Sequence, residues 1–333
     1  YTTNLKINNQ LSIWLISMFW IISIMIVVGG LTRLTDSGLS ITRWQLFTGL
    51  LPPLTHNDWV SYFNLYKEIP EFKLQNFNMS LQEFKIIFWW EWAHRFLGRI
   101  IGISYLIPLI YFSFKIRFSK LLNLYLIFFL ICFQGFIGWY MVSSGLVDRV
   151  DVSHFRLSIH LSIALLILSI ILWFIFDIFK IKKFSIKIDS SILNIFLILV
   201  ILQIILGSFL AGLNGGLIYN TWPDMNGAFF PNDVQSIDYF SKSLVNDPSI
   251  VQLFHRITAY LILIFLLILN YNFYKLNLDF KLIVFLDFAI LLQIILGIAT
   301  LLTGVEIKYA SLHQLGSILV LSSYLLILYK NTN

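Results

Sequence analysis

Charge is what this chain most lacks. Only 12% of its 333 residues are Asp, Glu, Lys or Arg, against 58% hydrophobic, and the mean hydropathy is +0.82. A soluble globular domain carries about twice that share of charge, so the composition excludes one and implies a polytopic membrane protein. Cysteine is nearly absent too: Cys132 is the only one and lies inside an apolar run. A single thiol excludes an intramolecular disulfide and a cysteine metal cluster. The net charge of +6 is not a nucleic-acid footprint, because the lysines gather in short loops between apolar runs, which is a topology signal. Nucleic acid is excluded as a partner. No stretch reads as a separate signal or transit segment, so the expectation is a chain from which any such segment has been removed or that had none.

What is present is a set of long apolar runs. Crossing a hydrocarbon core takes about 20 helical residues, and runs of that length lie near 11–31, 92–114, 121–142, 157–179, 192–213, 251–273, 281–303 and 309–329. Eight transmembrane helices are expected. Lys6, the trio Lys115, Arg117 and Lys120, the cluster Lys180, Lys182, Lys183 and Lys187, the pair Lys275 and Lys281, and Lys330 then share one side. By the positive-inside rule that side is cytoplasmic or matrix-facing and holds both termini, in a bacterial plasma membrane or a mitochondrial inner membrane. The long loops near 32–91 and 214–250 face outward. Leu81, Phe84, Ile87 and Phe88 recur at helical spacing in the first of them, which predicts short helices lying on the membrane surface.

The chain also repeats itself. Gly38-Leu39, Trp44, Gly49 and Pro53 after the first run match Gly216-Leu217, Trp222, Gly227 and Pro231 after the fifth, with identical spacing. Gln134, Gly138 and Gly145 match Gln293, Gly297 and Gly304 around the third and seventh runs. The expectation is an all-α membrane protein of two four-helix bundles, 1–188 and 189–333. An even number of spans per half makes them parallel repeats with pseudo-twofold symmetry. Gly98, Gly102, Gly135, Gly138, Gly207 and Gly297 would let helices approach closely.

Four of the six histidines, His94, His160, His255 and His313, fall near the outer ends of the even-numbered runs. An ionisable group inside a span is costly and points to function. Two helices entering from one face bring two histidines to one depth in each half, which suits the two axial ligands of a haem iron. A lone histidine at a helix end would read instead as a packing residue; four at matched positions do not. Spacing alone does not choose between His154 and His160. The polar surroundings of His154, with Asp148, Arg149, Asp151 and Arg156, favour a surface or propionate-side place for it and ligation by His160. His56 receives no role.

Arg95 and Arg256 directly follow a candidate ligand, where a guanidinium can meet a haem propionate bidentately or anchor the helix end. Arg33, Arg43 and Arg99 are weaker candidates of the same kind. Glu91 precedes His94 by three residues, placing both on one helix face. It can act as an acid or base or stabilise a developing cation, or simply cap the helix start. Gln252 stands at the matching position of the second half, where an amide can cap but cannot act as a base. That asymmetry marks the first half as chemical and the second as an electron-transfer site.

Together Glu91-Trp92-Ala93-His94-Arg95-Phe96-Leu97-Gly98-Arg99, the run from Gly30 to Ser40, Arg156-Leu157 with His160-Leu161, Asn220-Thr221-Trp222-Pro223, His255-Arg256 and His313-Gln314 resemble the haem A synthase family. The likeness covers essentially the whole chain, including Tyr66-Lys67 to Phe72. It is closest to the mitochondrial and alphaproteobacterial branch, since the cysteine pairs of other branches are missing. The resemblance implies oxidation of a methyl group of haem O to a formyl group by successive hydroxylations, giving haem A for terminal oxidases. It implies substrate haem between His94 and His160 with Glu91 beside it, and a permanent haem b on His255 and His313. A quinone is a candidate electron acceptor, the haem O-making farnesyltransferase and terminal oxidase assembly are candidate partners, and a homo-oligomer is compatible with the sequence.

Two rivals remain at this level. A di-haem membrane cytochrome b doing electron transfer only would use the same four histidines and leave Glu91 structural. A parallel-repeat transporter would use them as a proton relay, but it predicts acids within the spans, and Asp287 near an inner end is a poor candidate.

Overall fold

The computed structural model of the protein describes residues 2–44, 48–235 and 238–333. Its helices, in chain order, are α1 (Thr2–Leu34), α2 (His56–Tyr66), α3 (Pro70–Leu74), α4 (Leu81–Ser113), α5 (Leu122–Asp148), α6 (His154–Ile178), α7 (Ser190–Gly212), α8 (Ser243–Asn246), α9 (Pro248–Lys275), α10 (Phe280–Leu302) and α11 (Ile307–Asn331). Among the described residues there is no strand beyond one isolated bridge between Met225 and Ala228. Eight helices, α1, α4 to α7 and α9 to α11, are long and apolar enough to cross a membrane. The protein is therefore an integral membrane protein.

Helix starts follow local chemistry. Thr55 caps α2 and Ser80 caps α4, each in a reciprocal capping box with the acid three residues on, Asp58 and Glu83. Such a cap satisfies two otherwise orphaned N–H groups and is worth about 1 kcal/mol. Asp189, Asp247 and Asp279 cap α7, α9 and α10 through their carboxylates, and Pro248 opens α9 at a position where its missing N–H costs nothing.

The residues Leu81, Phe84, Ile87 and Phe88 are not in a separate surface helix. They form the first turns of α4, which runs unbroken to Ser113 with Pro108 inside it. The capping box at Ser80 fixes the start, and nothing between it and the apolar run breaks the helix. Phe84 and Phe88 are buried against Trp59 and Phe63 of α2, so the helical periodicity reads out packing on the loop rather than contact with lipid.

Two compact units divide the chain, Tyr1–Leu168 and Ser169–Asn333. In the first, α1 and α5 pack on α4, α2 folds over the N-terminal turns of α4, and α3 packs on α5. In the second, α7 packs on α9 and α10 on α11, around a core that includes Phe196, Leu269, Phe273, Leu286 and Tyr324.

Candidate functional site

In the first unit, α4 carries His94 and α6 carries His160, and their rings are 6.5 Å apart between centres and tilted by 55°. Two imidazoles on opposite sides of one metal, with metal–nitrogen bonds of about 2 Å, have centres about 6 Å apart. The spacing fits an iron between them. Nδ1 is buried without a hydrogen-bond partner in both rings.

One turn before His94, Glu91 is 3% exposed. Its Oε1 accepts from Nε and Nη2 of Arg95 at 3.0 and 2.6 Å, and its Oε2 accepts from Ser40 Oγ and the Ile41 N–H, both at 2.7 Å. Nη2 of Arg95 also donates to the Ile41 carbonyl at 2.8 Å, and Nη1 to that of Arg43 at 3.4 Å. The carboxylate and the guanidinium thus stitch residues 40–43 of the loop after α1 to the helix that carries His94. Arg43, Arg95 and Arg99 line one cleft there with Tyr62, Phe88 and Trp92, and the Arg95 guanidinium lies 5.3 Å from the Trp44 ring centre.

In the second unit α9 carries His255 and α11 carries His313, close enough for one to act electrostatically on the other. Nδ1 of His313 is 3.0 Å from the Gln293 carbonyl oxygen. Gln252 is 1% exposed and donates to the carbonyls of Gly215 and Ile218 at 2.9 and 2.6 Å. Arg256 donates to Gln252 Oε1 and to the carbonyls of Tyr219, Thr221 and Asp224 at 2.8–3.0 Å. The cleft beside this loop, about 400 Å³, is lined by groups such as Phe230, Val234, Tyr239, Phe254 and Ile257 and holds no guanidinium.

Comparison with known proteins bears on this geometry. The family described as cytochrome oxidase assembly protein (COX15-CtaA) matches residues 12–325. A protein of Pelagibacter ubique named heme A synthase is 62% identical over 327 residues, covering 97% of both chains. Proteins of the same name from Parvibaculum lavamentivorans and Rickettsia bellii are each 42% identical, over 92% and 94% of this chain. The chain belongs to the haem A synthase family. Within that family's frame the two histidine pairs fit haem, one pair per unit, and the buried acid distinguishes the first.

Of the residues the sequence singled out, the fold brings His94 and His160 together and bonds Glu91, one turn before His94, to Arg95, the residue after it. His154, expected at the surface or on the propionate side, is 6% exposed at the first residue of α6, which rules out the surface place. The side chain of Asp148, one of its sequence neighbours, lies outside the described residues. Arg43 and Arg99, ranked below Arg95, share its cleft. Sequence reasoning missed two features: the carbonyl that meets Nδ1 of His313, and Glu71. This second acid is 3% exposed, with Oε1 accepting from Tyr66 and Asn76 at 3.2 and 3.4 Å and Oε2 buried without a partner. Burial, with the charges of Glu91, Asp36 and Asp151 adding to it, pushes the Glu71 carboxyl up to about 8 against the bond from Tyr66. Its place in the Tyr66–Phe72 segment that carried part of the family resemblance was the available signal.

Proposed function

We infer that this chain makes haem A, taking haem O between His94 and His160 in its first half, 1–188, and oxidising one ring methyl to a formyl group through successive hydroxylations. The second half, 189–333, holds haem b between His255 and His313 and passes on the electrons. The single observation that carries the reading is the His94–His160 pair at 6.5 Å with the buried Glu91 one turn away, in a chain whose relatives bear the synthase name.

When bound, haem b supplies one-electron transfer. The remaining work falls to the protein. The two histidines would hold the substrate macrocycle between them. Arg43, Arg95 and Arg99 offer cationic donors where the substrate's carboxylates would sit. Arg95 Nη1 has a single long bond to the loop, which leaves it able to turn to such a carboxylate. Glu91 places negative charge beside the substrate edge. With four hydrogen bonds on its two oxygens, it suits stabilising positive charge on the macrocycle better than abstracting a proton.

The lysine clusters favour an inner location for both termini and an outer one for the 32–91 and 214–250 loops. A quinone is the acceptor class that fits a membrane-embedded relay, and the farnesyltransferase that makes haem O, terminal oxidase assembly and a second copy of the chain are the partners to test.

The test is chromatography with mass detection of haems extracted from the purified protein and its Glu91→Gln variant, both made in cells that supply haem O. Haem A or a hydroxylated intermediate in the parent, with haem O accumulating in the variant, is expected. Haem B alone in both would overturn the synthase reading and leave a di-haem cytochrome.

A further inference from the structure

Each of the four histidines lies against a glycine of the membrane helix before its own. A methyl group on Gly29 would come within 2.9 Å of Cε1 of His94; the distances are 3.1 Å for Gly138 and His160, 3.2 Å for Gly207 and His255, and 2.8 Å for Gly297 and His313. At Gly29 and Gly297 the contact is shorter than carbon atoms accept, so the ring occupies space that only glycine leaves open; at Gly138 and Gly207 it is tight, and the ring would have to give by a few tenths of an ångström. In all four the next nearest ring atom is Nδ1. By contrast, methyl groups on Gly102 or Gly135 would meet nothing within 4 Å.

The seat turns Nδ1 toward the preceding helix, where in three pairs it is buried without a hydrogen-bond partner. In the last pair it has one, Nδ1 of His313 lying 3.0 Å from the carbonyl of Gln293, four residues before Gly297. A carbonyl acceptor there fixes the tautomer with hydrogen on Nδ1, leaves Nε2 to the metal and makes it more basic. In two of the pairs the residue four before the glycine adds a second tie: Gln293 donates to the His313 carbonyl at 2.7 Å, and Gln134 to that of His160 at 2.9 Å. Gln203 holds the same position in α7 but meets the ring itself, 3.2 Å from His255 Nε2, the atom a haem iron would take. In α1 the position is Met25, whose methyl packs 3.5 Å from the place a Cβ on Gly98 would take and has no hydrogen to donate.

We propose that these glycines are positioning residues that seat the haem ligands, and that His94, alone without a glutamine four residues before its seat glycine, is the ligand that gives way when haem O enters and the product leaves. The inference rests on haem ligation by these histidines. It has a chemical rationale in turnover: a substrate haem must be exchanged and a resident one must not, so one weak ligand in the first half and none in the second is the arrangement required.

The experiment uses the full-length protein carrying product haem in the first half, whose formyl group separates its absorption from that of haem b. Carbon monoxide binds ferrous bis-histidine haem only as fast as a histidine leaves, so its binding rate reads ligand release. Met25→Gln is expected to slow that rate at the product haem about fivefold, the worth of one net hydrogen bond, and Gln134→Met to raise it. Gly297→Ala is expected to shift the midpoint potential and the low-spin resonance of haem b, with Gly102→Ala and Gly135→Ala leaving both at parent values. Parent-like carbon monoxide rates in both Met25→Gln and Gln134→Met would overturn the proposal, even if Gly297→Ala failed to fold. A folded parent with no six-coordinate haem would instead overturn the ligation reading beneath it.

Discussion

Near the N-terminal end of α4 the loop offers hydrogen-bond donors, the Ser40 hydroxyl and the Ile41 N–H, and Glu91 accepts both. At the matching end of α9 the loop offers carbonyls, Gly215 and Ile218, and Gln252 donates to both. The arginine one turn on behaves alike in the two places: Arg95 donates to the carbonyl of Ile41, and Arg256 to that of Tyr219, its repeat equivalent. The shared half of the device holds a loop over a histidine. The unshared half has been matched to its loop, so acid and amide are not interchangeable at either position. The only acids buried among the described residues, Glu71 and Glu91, both lie in the first unit. Buried negative charge is thus found in the unit of one histidine pair and, among the described residues, not in that of the other, which is the difference expected between a site for chemistry and one for conduction.

Removing the distinguishing charge should have the largest effect. Glu91→Gln is expected to lower haem A formation by a factor of about 10² or more, read as the ratio of haem A to haem O in extracts, while the C-terminal haem spectrum is unchanged. Parent-level conversion would make the two ends equivalent and erase the comparison. The reverse exchange, Gln252→Glu, leaves the Gly215 and Ile218 carbonyls facing an acceptor. It should cost about 2–3 kcal/mol, seen as a lower unfolding midpoint together with loss of haem b.

Glu71 sharpens the comparison through pH. Its carboxyl titrates near 8 in the folded protein, raised by burial from an ordinary value near 4.5. Below that ordinary value both folded and unfolded forms are protonated and no penalty exists. As pH rises from about 4.5 to 8 only the unfolded form ionises, so stability is lost across that window. The parent's thermal midpoint should therefore fall by several degrees between pH 5 and 8, and Glu71→Gln should flatten that fall while keeping the Tyr66 contact. An equally steep fall in the variant would assign it to other groups. Smallest is Ser40→Ala, which removes one of four bonds on Glu91. About 1 kcal/mol of stability and a few-fold drop in conversion are expected, with nothing lost at the second site.

Much of this was legible in the chain itself. A hydrocarbon environment obliges each span to satisfy its own backbone hydrogen bonds, so the eight helices follow from apolar run length alone. The repeat aligned His94 with His255 and Glu91 with Gln252, because spacing is conserved within a duplicated chain without reference to contacts. Where loop and helix meet, the sequence misled or was silent. The 81–88 periodicity came from packing on α2, His154 is buried, and Gly29 gave no sign that it seats His94. Ser40 and Ile41 lie about fifty residues from the carboxylate they bind, and Arg43 a similar distance from the Arg95 beside which it lines a cleft. What the sequence by itself determined is therefore which segments cross the membrane and which ionisable groups they carry, since both depend on local composition and spacing. Which ring rests on which glycine, and which oxygen of Glu91 meets which donor, was decided only by the tertiary structure, because hydrogen bonds and close contacts act over about 3 Å between residues that only folding brings together.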